Sequence, residues 1–240
     1  ASYDLKVTVV TIDTEDPIAI AAVGAIHHGD LVGLQRLLAD FPELATARLG
    51  DDDPDGMSRT LLHVVSDWPG HFPGGAATVH ALVAAGADVN ARFHGSHNET
   101  PLHWAASSDD LEVLDALIDC GANIEAPGAV IGGGPPLADA RAFNNSRAAH
   151  RLGAHGATTT LTDAAALGLL DRGEQFFASP TAPPLPEING AFWAACSGGQ
   201  QPAAQYLLNR GADINWIPEW EHVTPLDAAA RSRNPALVRW

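Results

Sequence analysis

One line of residues recurs along the chain, with drift, and a chain assembled from such copies has few folds open to it. Its clearest copy runs from His97 to Ala126, HNETPLHWAASSDDLEVLDALIDCGANIEA. Thr100 before Pro101 suits a helix start. The hydroxyl caps orphan N–H groups, and the first turn tolerates a residue that lacks one. Ala105 and Ala106 are small, so a neighbouring helix can come close. Leu111, Leu114, Leu117 and Ile118 follow at steps of three and four, the mark of a second helix with one apolar face. Gly121 then supplies the left-handed residue that stops it.

This line resembles the ankyrin-repeat consensus. Thr100-Pro101-Leu102-His103 is the T-P-L-H start, Ala105-Ala106 follow, and Gly121-Ala122-Asn123 close the unit. The frame recurs. Thr60-Leu61-Leu62-His63 pairs with Gly86-Ala87-Asp88, and Pro135-Pro136-Leu137 with Gly156-Ala157. Phe192-Trp193-Ala194-Ala195-Cys196 pairs with Gly211-Ala212-Asp213, and Thr224-Pro225-Leu226-Asp227 opens a last, partial unit. Ile20 to Leu38 reads as an atypical first repeat and Leu161 to Phe177 as a degenerate one. The resemblance implies an all-α ankyrin-repeat solenoid of about seven stacked helix pairs with hairpin fingers and almost no sheet. Residues 17–240 form the repeat domain and 1–16 an N-terminal extension, where Val7-Thr8-Val9 reads as a short strand or as disorder. Gly86, Gly121 and Gly211 are expected at positive φ.

Charge narrows the partners. The formal net charge is -16, and Lys6 is the only lysine. Such a surface repels phosphate backbones and anionic lipid, so neither nucleic acid nor a membrane is expected as partner. No apolar run approaches the ~18 residues that span a bilayer, and the start lacks the cationic segment and apolar core of a secretory signal. Cys120 and Cys196 fall at apolar repeat positions, which reads as buried free thiols in a reducing, cytoplasmic compartment. No cofactor is expected. Gly132-Gly133-Gly134 precede a helix, but Pro135 and Pro136 remove two backbone donors and no lysine follows.

Function is to be sought where the repeats depart from the frame. Thr60 to Gly86 is 26 positions and Thr100 to Gly121 is 21, so the second repeat carries five extra residues. They form the loop Trp68-Pro69-Gly70-His71-Phe72-Pro73-Gly74-Gly75. The finger Arg92 to Glu99 is His-rich, 128–134 is glycine-rich, and 216–222 is aromatic and acidic. The Pro-rich stretch 179–186 reads as a stiff connector. The resemblance places Val64, Asp67, Trp68, Trp104, Ser107, Ser108, Asp139, Ala142 and Phe143 on the concave side.

Bland readings take some of these residues. The resemblance implies that the T-P-L-H histidines His63 and His103 are structural, bonding backbone between repeats, and Trp193 at the same position is expected to be core. Asp109-Asp110 suits a helix-end turn. His94, His97, His71 and Glu99 have donor types that suit zinc, but a loop H-x-x-H is a weak pattern, and no metal site is expected. Asp67, His71, His94, His97 and Asp139 are the candidate catalytic groups. Trp68, Phe72, Phe93, Trp104, Ser107, Phe143, Trp216 and Trp220 are the candidate binding residues. The resemblance implies a recognition module that takes a protein partner on its concave face. The alternative is a small-molecule site, binding or catalytic, in the groove of repeats two to four, with the insert and the His-rich finger roofing Trp104. Whether any reaction is catalysed is left open, because no spacing specifies one.

Overall fold

The computed structural model describes residues 10–50, 53, 56–130, 132–219 and 221–240. Val7-Thr8-Val9 and Trp220 lie outside the described residues. The fold is the all-α ankyrin-repeat solenoid class, and two compact units divide between Asp139 and Ala140.

In the first unit, α1 (Pro17–His28) pairs with α2 (Leu31–Asp40), α3 (Leu61–Ser66) with α4 (Gly75–Ala84), and α5 (Pro101–Ser107) with α6 (Leu111–Asp119). Side-chain caps set several starts. Asp16 accepts from the backbone of Ile18, Asp30 from Gly33, and Asp110 from Val113. Ile26, Leu34, Leu61, Leu62, Leu82, Leu102, Leu114 and Leu117 are fully buried. They come from both helices of each pair, so the pairs stack through a shared apolar seam.

A small sheet departs from the expectation of almost none. β1 (Thr11–Ile12) pairs in parallel with β2 (Arg48–Gly50), and β2 pairs antiparallel with β3 (Ser58–Arg59). Ser58 also bridges to His94, so the first fingers are knitted edge to edge. Open backbone groups on adjacent extended fingers have each other as the nearest partners.

Helix α7 (Pro136–Ala142) spans the division, and α8 (Ser146–Ala154) opens the rest of the second unit. There α9 (Leu161–Leu167) pairs with α10 (Leu170–Ala178), α11 (Leu185–Ser197) with α12 (Gln201–Leu208), and α13 (Pro225–Arg231) with α14 (Pro235–Arg239). Among the described residues the fourteen helices give the seven helix pairs that the repeat frame implied. Phe192 is the largest side chain in this unit's core, packed with Leu161, Ala195, Ala204 and Leu207. The stretch read as a stiff connector is shorter than expected. Leu185 and Pro186 already belong to α11, because proline fits a first helical turn.

One side chain in each of three repeats ties it to the next. His63 Nδ1 accepts from the Thr60 backbone N–H at 3.3 Å, and its Nε2–H donates to the Glu99 carbonyl at 3.2 Å. His103 repeats both bonds, with the Thr100 N–H at 3.1 Å and the Gly134 carbonyl at 3.2 Å. Trp193, in the same register, donates its indole N–H to the Val223 carbonyl at 2.9 Å. Each receiving carbonyl belongs to the residue just before the next repeat's helix start. Burial pushes His63 down to about 3 and His103 to about 4, so both are neutral and the two ring nitrogens keep distinct roles. His63 and His103 are structural, as expected.

Two measurements check this register. Gly121 sits at φ +91 with open space where a Cβ would lie, so only backbone strain opposes a side chain. Gly121→Ala should lower stability by about 1 kcal/mol in urea titration. Trp193→Phe keeps the ring and removes the donor, leaving the Val223 carbonyl unpaired. It should cost about 1 kcal/mol by the same assay.

Candidate functional site

The insert of the second repeat is anchored at both ends. Asp110, which caps α6 and is 2% exposed, also accepts from the backbone N–H of His71 in the loop. Gly70 runs so close to Ser108 that a Cβ there would stand 2.9 Å from the serine's own. Further along, Phe72 stacks on His27 of α1, with centroids 4.4 Å apart. The loop thus reaches from α6 back to α1. Trp68 at its start is 80% exposed, and no ring partner meets it among the described residues. Asp67 forms an ion pair with Arg59 of β3, and the His71 ring lies 3.9 Å from Asp110. Asp67 and His71 therefore each have a charged neighbour of their own, and no bond joins the two.

The finger Arg92 to Glu99 builds the next part. Phe93 N–H donates to the Glu99 carbonyl at 2.7 Å, closing the finger as a hairpin. This brings the Phe93 ring to 5.4 Å from Trp104, which is edge-on to His63 at 5.0 Å. Trp104 is half-buried between the Phe93 and His63 rings, and the Ser107 hydroxyl donates back to the Trp104 backbone carbonyl. His94 and His97 are exposed at the finger tip. The Arg92 guanidinium donates to the Asn98 and Pro127 carbonyls, which fastens this finger to the following one.

That following loop folds inward. Gly128 and Gly133, and Ala129 and Gly134, close it with backbone bonds of 2.9 Å. At Gly128, φ +138, a Cβ would stand 2.2 Å from the Asn98 carbonyl oxygen, so only glycine permits this approach. Val130 N–H donates to Asp139 Oδ1 at 3.0 Å. The loop thereby covers Asp139, expected as an open face position, and leaves it 1% exposed. Glu99 is 5% exposed, and its Oε2 has no hydrogen-bond partner. Burial pushes the Asp139 carboxyl up to about 6. The Val130 N–H opposes that shift, the Glu99 charge adds to it, and His97 opposes it.

Other expectations change in detail. Val64 is fully buried, because the side chain after His63 faces the core rather than the open side. Ser108 is also buried and donates to the Ser66 carbonyl. Cys196 is buried, and that burial raises its thiol to about 11. Cys120 is only half-buried, ending α6 with its Sγ 3.3 Å from His80 Nδ1. Phe143 (52% exposed) and Trp216 belong to the second unit. Among the described residues no group of three or more His, Cys, Asp or Glu is placed to hold a metal ion. Nor, among them, is any helix long and apolar enough to cross a membrane. Arg59, His27 and Asp110 escaped the sequence reading as parts of this region. Only Asp110 had a local signal, its place at a helix start.

Comparison with known proteins agrees with this geometry. Residues 97–126 match the model of the ankyrin repeat family. The crystal structure of the human ASB11 ankyrin repeat domain is similar in fold, with a TM-score of 0.54 and 19% identity. The match covers 91% of this chain and 96% of that one. The palmitoyltransferase AKR1 of Candida albicans (strain SC5314) is 37% identical over 73 residues, 30% of this chain. That stretch spans 8% of the palmitoyltransferase, so its activity does not carry over.

The buried acid has a measurable consequence. Between the unfolded value of 3.8 and about 6, the folded chain holds more proton at Asp139 than the unfolded chain does. Its contribution to stability is therefore full below that window and lost as pH rises through it. Asp139→Asn should flatten this fall, worth about 2 kcal/mol between about pH 4 and about pH 7, in urea titrations at those two values.

Proposed function

We propose that this chain, whose residues 97–126 match the ankyrin repeat family and whose fold is similar to that of an ankyrin repeat domain, is a recognition module, without catalysis, that holds a protein partner. The partner lies on the face formed by the first helices and fingers of the first unit. The observation that carries this reading is Trp68. A tryptophan left 80% exposed on a loop anchored to α1 and α6 is a preformed anchor with little entropy left to lose on binding. Met57, 62% exposed on the neighbouring segment, and half-buried Trp104 add apolar area. The net charge of -16 favours a partner with a basic surface and speeds its approach. Cys120 and Cys196 as free thiols fit a reducing, cytoplasmic setting.

A photo-cross-linking residue at position 68 tests this reading, with one at exposed Glu112 on α6 as the control. Protein adducts should form from position 68 and not from 112. Trp68→Ala should weaken capture of the cross-linked partner roughly 30-fold, about 2 kcal/mol, with the melting temperature unchanged. Adducts at neither position would overturn the proposal. A small molecule retained in native mass spectrometry and lost in Trp68→Ala would do so too.

A further inference from the structure

In the first unit two closing turns are tied together. The Asn90 side chain donates to the Gly121 carbonyl at 3.3 Å and accepts from the Asn123 N–H at 2.7 Å, so the turn after α4 meets the turn after α6. In the second unit the turn Gly156-Ala157-Thr158 after α8 meets a different sequence. The next repeat, α9 with α10, ends in Ser179-Pro180-Thr181-Ala182-Pro183-Pro184 in place of a Gly-Ala-Asp turn. A groove of about 440 Å³ lies there, between residues 156–159 and α10, entirely within the second unit. That volume falls in the range of small-molecule sites, about 300–1,000 Å³.

One side of α10 lines the groove. Arg172, Gln175, Phe176 and Ser179 stand three, four and seven residues along from the first, which places them on one face of the helix and its end. Thr159 lines the opposite wall. The Arg172 guanidinium donates to the Gly153 carbonyl at 3.1 Å, which tethers it to the last turn of α8 and uses one of its five N–H groups. Among the described residues no carboxylate pairs with it. Arg141, by contrast, is paired with Asp163 and Arg231 with Glu221, and Arg210 stacks on Tyr206. Phe176 is half-buried and packs on the unit's core, so its ring is held in place. An exposed arginine is ordinarily a solvated charge. This one is tethered to backbone, one helical turn from a fixed aromatic ring, where the repeat frame leaves a gap.

Charge does not oppose an anion here. The formal charge of -16 falls wholly on residues 1–139, because residues 140–240 hold eight arginines against eight aspartates and glutamates. A guanidinium suits planar, two-point recognition of a carboxylate or phosphate, and a ring beside it takes a flat apolar body. Thr159, Gln175 and Ser179 add side-chain donors at the rim. We infer that this groove is a binding site for a small organic anion that carries a flat ring, with the oxyanion on Arg172 and the ring on Phe176. Carboxylates and phosphates share that chemistry. The groove belongs to the second unit and Trp68 to the first, so this site does not depend on the recognition reading.

The full chain, labelled with nitrogen-15, is titrated by NMR with phenylacetate and with phenyl phosphate to about 20 mM, a range suited to millimolar dissociation constants. Phenylacetamide lacks the charge, and acetate and inorganic phosphate lack the ring; these three are run beside them. The amides of residues 156–159 should shift saturably with at least one ring-bearing anion, and the tighter of the two identifies the oxyanion. The three control compounds should each bind at least about tenfold more weakly. Arg172→Gln and Phe176→Leu should each weaken binding by at least about tenfold with circular dichroism unchanged, and Arg172→Lys, which keeps the charge without the fork, should restore only part of it. Arg172 is exposed, so its two variants decide the matter even if Phe176→Leu disturbs the core. No saturable shift with either ring-bearing anion, or parent-like binding by Arg172→Gln, would overturn the assignment. Phenylacetamide binding as tightly as phenylacetate would overturn the part given to charge. Acetate or inorganic phosphate binding as tightly as its ring-bearing counterpart would overturn the part given to Phe176.

Discussion

In three repeats a ring N–H reaches the carbonyl of the residue before the next helix start, and the positions of the fingers follow from that bond. His63, His103 and Trp193 make it. The geometry is demanding, because in the two histidines one ring nitrogen also accepts from the start of its own helix. Only a neutral imidazole can accept at Nδ1 and donate at Nε2, and burial enforces neutrality. The same bond pins the backbone of Glu99, at the end of the His-rich finger, and of Gly134, at the end of the glycine loop. Site and scaffold are therefore fastened by the same contacts.

From that fastening comes the character of the first unit's face. Because the fingers are bonded to one another through Arg48, Arg92 and the short β pairings, each has little freedom. Loops held this way present side chains already ordered, which spares a binding partner the entropy of arranging them. Trp68 stands exposed on an anchored loop, while Phe93 and Trp104 hold each other. Exposure and order coexist here, and they do so where one repeat carries five residues beyond the frame.

Two kinds of polar burial differ in consequence. Asp110 is buried but fully used, capping α6 and holding the insert. Asp139 and Glu99 are buried with fewer donors, one backbone N–H for the first and none on Oε2 of the second. The first stabilises a loop. The second leaves carboxylate oxygens short of donors, and at Asp139 it makes folding stability depend on pH.

The sequence by itself determined the repeat count, the helix pairs, the structural part played by His63 and His103, and the left-handed glycines that end α4, α6 and α12. The helices and their ends follow from patterns three to four residues apart and from local backbone preference, which a linear string records, and the part of the two histidines follows from the resemblance to the ankyrin-repeat consensus. Only the tertiary structure decided that Asp139 is roofed and Val64 turned to the core. It also decided that Phe72 crosses to His27, and that Glu99, noticed in the sequence only as a weak candidate ligand, holds an unpartnered oxygen. Those outcomes depend on contacts between separate loops and helices, 36 residues apart for His63 and Glu99, 31 for His103 and Gly134 and 9 for Val130 and Asp139. Loop direction is set by a few long-range bonds and by close approaches such as that of Gly128 to Asn98. No local period in the sequence carries that information.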